Sequence, residues 1–436
     1  MRLAMKTEIG IGLAGFGTVG SGVYKNLARN GALMEERTGV AFLVRRIAVK
    51  DLAEPRRVDA PDELFITRPD DLIEDPSIRI VIELMGGIEF PLRFIRRAIE
   101  AGKIVITANK ALLAEHGKEI FELAEAKKVP VFFEAAVAGG IPIIKAVREA
   151  FVGNRFESIH GILNGTSNYI LTRMTDSGMD FGPALEEARK LGYAEADPTL
   201  DVNGWDAAHK AIILASLAYG FWVAPSNVLV EGIEKITASD IRFADELGYR
   251  IKLVATIKAD ESDEIEVRVA PTLIPKSHVL ASVNGVFNAV AVRGDVVGET
   301  LFYGRGAGQD PTASAVLGDL AEAGITLASP RESCGFASHD LYGRCKPVAD
   351  TISKFYLRLG VEDRPGVLAQ IAGALGEAGI GILSVIQPES HAEGPVPLVL
   401  TLHDAAYGKM QAAAATITAL PCVKTEPLLL HMESFL

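Results

Sequence analysis

The chain has 436 residues, 49% of them apolar, and a formal net charge of −12. That length exceeds one hydrophobic core and predicts two or three domains, while the acidic balance argues against a general nucleic-acid binder, which carries a basic face. Cys334, Cys345 and Cys422 form no Cys-x-x-Cys pair, which predicts a reducing, cytoplasmic setting without disulfides or a zinc site. The polar start does not read as a signal peptide, and no apolar run reaches the roughly 18–20 residues of a membrane span.

In chain order, the first hundred-odd residues alternate strand and helix. Ile9–Ala14 is a short apolar run, as in a buried parallel strand. After a glycine loop, Val19–Asn30 reads as a helix ended near Gly31. Ala41–Val49 is a second strand and Asp70–Glu74 a short acidic helix. Arg79–Met85 is a third strand, Pro91–Ala101 a helix and Lys103–Ala108 a fourth strand. His116–Lys127 is a helix and Val129–Glu134 a strand. This rhythm predicts a doubly wound sheet with helices on both faces.

The loop Gly15-Phe16-Gly17-Thr18-Val19-Gly20 sits between a strand and a helix, the setting of a dinucleotide fingerprint. Gly15 makes the tight turn, Gly17 admits the pyrophosphate, and Gly20 lets helix and strand approach. The helix N-terminus then stabilises the phosphate charge. At the end of the second strand, where an acid would bond a ribose hydroxyl, stand Lys50 and Asp51, with Arg45, Arg46, Arg56 and Arg57 nearby. The cations favour NADP, and Asp51 keeps NAD open. A solvated basic surface would read the same way.

From residue 135 the text changes. Ala135–Pro142 is a run of small residues. Arg155–Leu163 and Glu264–Ala270 read as strands, with helices at Pro183–Lys190, Asp206–Tyr219 and Ala238–Leu247 between them. An antiparallel sheet with helices on one side is expected over 136–303. Gly304–Leu320 is a glycine-rich turn into a helix that returns, over 304–330, to the first domain of 1–135. A linker spans 331–350. From Thr351, strands and helices follow as Lys354–Val361, Gly366–Ala378, Ile380–Gln387, Val396–His403, Met410–Ala419 and Val423–Leu430. That is a ferredoxin-like βαββαβ unit.

Two places carry candidate chemistry. Thr107-Ala108-Asn109-Lys110 ends the fourth strand, and ligands of doubly wound sheets bind beyond strand carboxyl ends; a surface lysine is the plainer reading of Lys110. The segment from Gly192 to Lys210 holds Glu195, Asp197, Asp201, Asp206 and Lys210. Asp206 and Lys210 lie four apart on one helix face, and the helix continues as an apolar run. A lysine beside carboxylates near a buried helix end is a candidate for proton transfer, though an exposed pair on an acidic loop has the same spacing. His160 and His209 are better read as structural. No His/Cys cluster has transition-metal spacing, and no Gly-x-Ser-x-Gly elbow is present.

Taken together, these stretches resemble the homoserine dehydrogenases over nearly the whole chain. The matching pieces are the loop at 15–20, Thr-Ala-Asn-Lys at 107–110, Glu-Ala-Ala-Val-Ala-Gly-Gly-Ile-Pro at 134–142 and Asn-Gly-Thr-Ser-Asn-Tyr at 164–169. They continue with Gly-Tyr-Ala-Glu-Ala-Asp-Pro-Thr at 192–199, Asp-Val-Asn-Gly-Trp-Asp-Ala-Ala-His-Lys at 201–210 and Gly-Arg-Gly-Ala-Gly at 304–308. Asp363-Arg364-Pro365-Gly366-Val367-Leu368 looks like the opening of an ACT domain, a module that often binds amino acids. The resemblance implies a doubly wound Rossmann domain, an α+β catalytic and dimerisation domain, and a C-terminal ACT domain at 351–436. The implied reaction is reversible reduction of L-aspartate 4-semialdehyde to L-homoserine by NAD(P)H.

The resemblance also implies roles. Lys210 donates the proton to the carbonyl oxygen, with Lys110 near carbonyl and nicotinamide. Glu195 and Asp206 bind the substrate's amino group, supported by Asp201. Phe16, Thr18, Val19, Lys50, Thr107, Gly192, Gly306 and Gly308 join the three loop glycines around the cofactor. Glu134, Val137, Gly139 and Ile141 offer mostly backbone carbonyls to Na⁺. L-threonine is the implied effector of the ACT module, and a homodimer or homotetramer the implied assembly. Two rivals share the scaffold: another semialdehyde or imine reductase, and a non-catalytic amino-acid sensor.

Overall fold

Six parallel strands build the first sheet of the computed structural model, which describes residues 7–328, 343–388 and 394–434. They are β1 (Thr7–Ala14), β2 (Val40–Ala48), β3 (Phe65–Ile66), β4 (Ile78–Glu83), β5 (Ile104–Thr107) and β6 (Val131–Phe132), ordered β3-β2-β1-β4-β5-β6. Strand order reverses between β1 and β4, so the crevice beyond their carboxyl ends is the switch point where such sheets take ligands. Ile9, Ile11 and Leu13 are buried, as a strand covered on both faces requires. The helices between the strands are α1 (Thr18–Thr38), α2 (Asp70–Glu74), α3 (Glu89–Glu100) and α4 (Lys110–Lys127).

Helix α1 runs well past the expected stop. Gly31 lies inside it, and the helix ends at Gly39, whose φ of 74° is left-handed. A single interior glycine costs only about 1 kcal/mol, whereas the C-terminal position needs the left-handed conformation that glycine adopts freely. The helix Gln309–Ala328 lies against α1. Asp310 pairs with Lys25 at 2.7 Å, and the Gln309 amide donates to Ser21 Oγ at 3.1 Å. Ala313, Val316, Leu320 and Ala323 enter the same core as Ile11, Val23 and Leu27. Ahead of this helix run two paired strands the sequence reading missed, Phe287–Gly294 and Gly298–Arg305.

Compactness divides the chain into two units that are not contiguous in sequence. The first comprises Met1–Phe156, Ile212–Pro225 and Asn288–Tyr342. The second comprises Glu157–Ala211, Ser226–Phe287 and Gly343–Leu436.

The second unit is built on a mixed sheet, a correction to the expected antiparallel one. Strand Tyr249–Ala259, also missed, runs antiparallel to both Phe156–Ile162 and Glu264–Pro275. Strand Leu428–Met432 then pairs parallel with Glu264–Pro275 and antiparallel with Ile352–Val361. The sheet continues through Val396–Ala406 to Ile382–Ile386. With helices Val367–Glu377 and Tyr407–Thr418, these last strands form the βαββαβ unit, around a core that includes Phe355, Leu357, Ile371, Leu400 and Met410. The last strand starts at Leu428, not Val423, because Lys424-Thr425-Glu426-Pro427 interrupts the apolar run; Val423 keeps one isolated bridge to Val361. The expected linker and Cys334 lie largely outside the described residues. Within the described part of the linker, Arg344–Cys345 pairs with Glu264 and Ile265.

Candidate active site

The first unit holds the glycine loop. Gly15 has a φ of 109°, and a Cβ there would meet Leu84 O at 2.5 Å; a Cβ on Gly20 would meet Gly15 O at 2.2 Å. Both glycines are therefore required by the protein's own packing. Gly17 is different: its φ is −70°, and a Cβ would meet nothing within 4 Å. Nothing in the fold requires glycine at 17, but a pyrophosphate against the backbone would. The residues thus fit a dinucleotide. Phe16 is buried edge-on between Tyr24 and Phe65, while Thr18 and Val19 open α1 beside Gly17.

A cleft of about 690 Å³ lies over this loop, lined by Gly15, Phe16, Gly17, Lys50, Arg56, Arg57, Leu84, Met85 and Gly86 among others. Lys50 therefore stands where the reading of the second strand put it. The Asp51 carboxylate accepts from Ala53 N at 2.9 Å, capping its own turn. Arg45 is paired with Glu8, and Arg46 donates to the Arg45 carbonyl.

At the ends of β4 and β5 a buried network shapes the cleft wall. Thr107 Oγ1 donates to Glu83 Oε2 at 2.7 Å and accepts from Asn109 N at 3.0 Å. Glu83 also accepts from Met85 N at 2.8 Å; burial pushes its carboxyl above the usual range. Asn109 caps α4 through Leu112 N and donates to Gly87 O at 2.7 Å, which places Lys110 at the first position of α4. Sequence reasoning missed Glu83, which reads as the end of an apolar strand.

Gly306 and Gly308 precede the 309–328 helix, next to the loop that holds Glu134, Val137, Gly139 and Ile141. A Cβ on Gly139 would meet Gly306 O at 2.7 Å, and Gly140 N donates to Arg305 O. Ala138 and Gly139 both have left-handed φ, 53° and 42°. The Glu134 carboxylate accepts from Ile144 N and Lys145 N at 2.9 Å each, and its own N–H donates to buried Asp319. Among the described residues no group of three or more His, Cys, Asp or Glu could hold a metal ion. Any cation here would rely on carbonyls and on the second lone pair of each Glu134 oxygen.

The second unit holds the lysine cluster. Helix Trp205–Tyr219 buries Asp206 and Lys210 on one face, as the spacing predicts. Lys210 Nζ donates to Asp206 Oδ2 at 2.6 Å and to Leu163 O at 2.7 Å. Asn164 Nδ2 donates to Asp206 Oδ2 at 2.8 Å and to Asp201 Oδ1 at 2.7 Å. Burial, and then the neighbouring Asp206 charge, raise the Asp201 carboxyl above the ordinary range. Three of the expected residues thus come together. Glu195 and Gly192 lie instead on an exposed loop after helix Phe181–Lys190. That loop is tied down by Thr166 Oγ1, which donates to Tyr193 O at 2.7 Å. His209 packs against Trp205, and His160 is buried in the sheet, where desolvation lowers its pKa to about 3. Within the βαββαβ part of this unit, a cleft of about 430 Å³ is formed by Glu362–Leu368, Gln387 and Leu398, where Gly366 (φ 87°) opens helix Val367–Glu377.

Comparison with known proteins covers all of these regions. Residues 15–134 match the family model described as homoserine dehydrogenase, NAD binding domain; 142–321 that of homoserine dehydrogenase; 355–421 that of the ACT domain. A curated homoserine dehydrogenase of Synechocystis is 44% identical over 97% of this chain and 99% of its own. The crystal structure of a homoserine dehydrogenase from Thiobacillus denitrificans superposes with a TM-score of 0.91 at 43% identity, covering 98% of this chain and 99% of that one. A hyperthermophilic archaeal homoserine dehydrogenase, solved in complex with NADPH, shares 27% identity and a TM-score of 0.62 over 75% of this chain and 100% of that one.

Proposed function

Since the chain belongs to the homoserine dehydrogenase family, we propose that it interconverts L-aspartate 4-semialdehyde and L-homoserine with Lys210 as the proton donor and acceptor. The observation that carries this is the buried Lys210 ammonium, oriented by a carboxylate and a carbonyl oxygen at 2.6 and 2.7 Å. The nicotinamide cofactor supplies hydride to the aldehyde carbon, or removes it from the alcohol. Lys210 stabilises the alkoxide charge and protonates the oxygen; in the reverse direction it takes the hydroxyl proton. Asp206, Asp201 and Glu195 supply carboxylates for the substrate ammonium, and Lys110 lends a second cation at the end of β5. The resulting homoserine serves threonine, methionine and isoleucine synthesis.

The cofactor is NADP in preference to NAD, because Lys50, Arg56 and Arg57 line the cleft at the end of β2. The NADPH held by the archaeal relative supports this reading. Val137, Gly139, Ile141 and Glu134 are the residues for Na⁺. In the C-terminal module, the cleft at Arg364-Pro365-Gly366 is the site for an amino-acid effector, L-threonine, with helix-start amides for its carboxylate and Glu362 and Asp363 for its ammonium.

A spectrophotometric assay of homoserine-dependent reduction of NADP⁺ and NAD⁺ tests the reaction and the cofactor preference together. Lys210→Ala should abolish turnover while NADPH binding persists; near-normal kcat in that variant would remove Lys210 from its role. Arg364→Ala should weaken threonine inhibition in the intact chain. Inhibition identical to wild type would place the effector elsewhere.

A further inference from the structure

Asn164 is the hub of the lysine cluster. It is 5% exposed and caps helix Gly165–Ser177, accepting from Ser167 N through Oδ1 at 2.7 Å. Its amide orientation is unambiguous, because one end faces an N–H donor and the other faces two carboxylates. Both amide protons are used: one reaches Asp201 Oδ1 and the other Asp206 Oδ2, each within 2.8 Å of the same nitrogen. The flanking residues reinforce the arrangement. Leu163 O accepts from Lys210, and Ser167 Oγ donates to Asp201 O at 2.7 Å.

Two carboxylates held this close repel one another. A neutral, two-pronged donor between them lets both stay ionised in one place without adding charge. We propose that Asn164 is a positioning residue for proton transfer, fixing Asp201 and Asp206 against each other and thereby setting the orientation and charge state of Lys210. This rests on the reading of Lys210 as the proton donor. The charged groups near Lys210 in this unit include Asp206, on its own helix, and Asp201, on the short helix Thr199–Val202 before it. Asn164 acts through them. Its hydrogen bond also opposes the burial that pushes the Asp201 carboxyl up.

A helix cap alone would need only the acceptor. Serine caps helices nearly as well as asparagine but cannot span two carboxylates, so Asn164→Ser separates the two roles. The variant should fold, bind NADPH normally and lose about 10²-fold in kcat for homoserine oxidation. Asn164→Asp keeps the cap and the volume but replaces both donors with a third carboxyl group. It should move the rising limb of the kcat–pH profile in homoserine oxidation upward by roughly one pH unit, since added negative charge favours the ammonium over the free base. Should Asn164→Ser melt too early to assay, the Asp variant alone carries the test. Lys210→Ala is measured alongside. If it is inactive while both Asn164 variants match wild type in kcat and pH profile, Asn164 is only a cap and the inference is overturned. If Lys210→Ala retains turnover, the proton-donor reading itself has failed.

Discussion

At the level of single side chains, the proposed preference for NADP rests on Lys50 and Arg57. Both line the cleft at the end of β2, Arg56 is already bonded to the Asp51 carbonyl at 2.7 Å, and Asp51 is folded into its own turn. A ribose 2′-phosphate would meet three cations there, Lys50, Arg56 and Arg57, against one acid, Glu54, and charge-assisted bonds to phosphate are the stronger kind. The double variant Lys50→Ala/Arg57→Ala should raise KM for NADP⁺ about tenfold and leave KM for NAD⁺ nearly unchanged. Equal effects on both would make these cations ordinary surface charges. The same scale shows what a local pattern can reveal. Asp206 and Lys210 could be paired from sequence because helical spacing puts residues four apart on one face. Asn164 could not, since its partners lie 37 and 42 positions away. Glu83 was hidden for a related reason: its carboxylate is satisfied by Thr107, from the neighbouring strand, and looks out of place only when the strand is read alone.

Helix α1 shows how far composition carries at the level of an element. Its start was legible, since the strand–glycine–helix order is local; its end was not, because two glycines, Gly31 and Gly39, offered the same signal. The structure separates them by conformation. Gly31 has ordinary helical geometry with open space around its Cα, whereas Gly39 is left-handed and its N–H donates to Glu35 O. Gly31→Ala should therefore stabilise the first unit by about 0.5–1 kcal/mol and Gly39→Ala destabilise it by a similar amount. Thermal melts of the two variants should shift in opposite directions; shifts of the same sign would contradict this account of the helix end. The Tyr249–Ala259 strand, missed in the sequence reading, carries a strand's own signature: Arg250, Lys252, Thr256 and Lys258 alternate with Ile251, Leu253, Ala255 and Ile257 at a period of two. Lys252 is nonetheless buried, with Nζ donating to Val283 O at 2.6 Å and to Asn284 Oδ1 at 3.0 Å.

Across the whole second unit, the C-terminal module is no detachable appendage. Its last strand lies between Glu264–Pro275 and Ile352–Val361, and Glu433 just beyond it is buried against Arg268 and Lys258. Deleting 351–436 would strip Arg268 of a carboxylate partner and leave a sheet edge unpaired. The truncated chain should lose activity and aggregate, which is why the proposed effector site is better tested by Arg364→Ala in the full chain. A truncated chain that stays monodisperse with normal kcat would refute this coupling.

The same junction sets the acid limit of the fold. Desolvation holds His160 at about 3 and His431 well below its ordinary value, so both are neutral when folded. The unfolded chain binds protons at these positions near pH 6.5, and the folded chain does not. Stability therefore falls as pH drops below about 6.5, by up to roughly 1.4 kcal/mol per pH unit for each histidine. Burial opposes ionisation of Glu433, but Arg268 and Lys258 hold its carboxyl down to about 2, so its contribution is present at neutral pH and fades only below about 4.5. Between pH 6.5 and 5 the two histidines lower stability, while buried carboxyls raised above their ordinary range, Asp319 and Glu83 among them, oppose that decline. His431 stacks on Tyr407 and packs at a tilt against Phe355, with ring centroids 5.5 and 5.1 Å away, and neither of its nitrogens has a hydrogen-bond partner among the described residues. Phenylalanine can fill that space without the titratable group or the unsatisfied nitrogens. His431→Phe should leave Tm at pH 7 equal to or above wild type and make Tm fall less between pH 6.5 and 5. A His431→Phe variant whose Tm falls over that interval as steeply as wild type would mean that His431 does not stay neutral in the folded state.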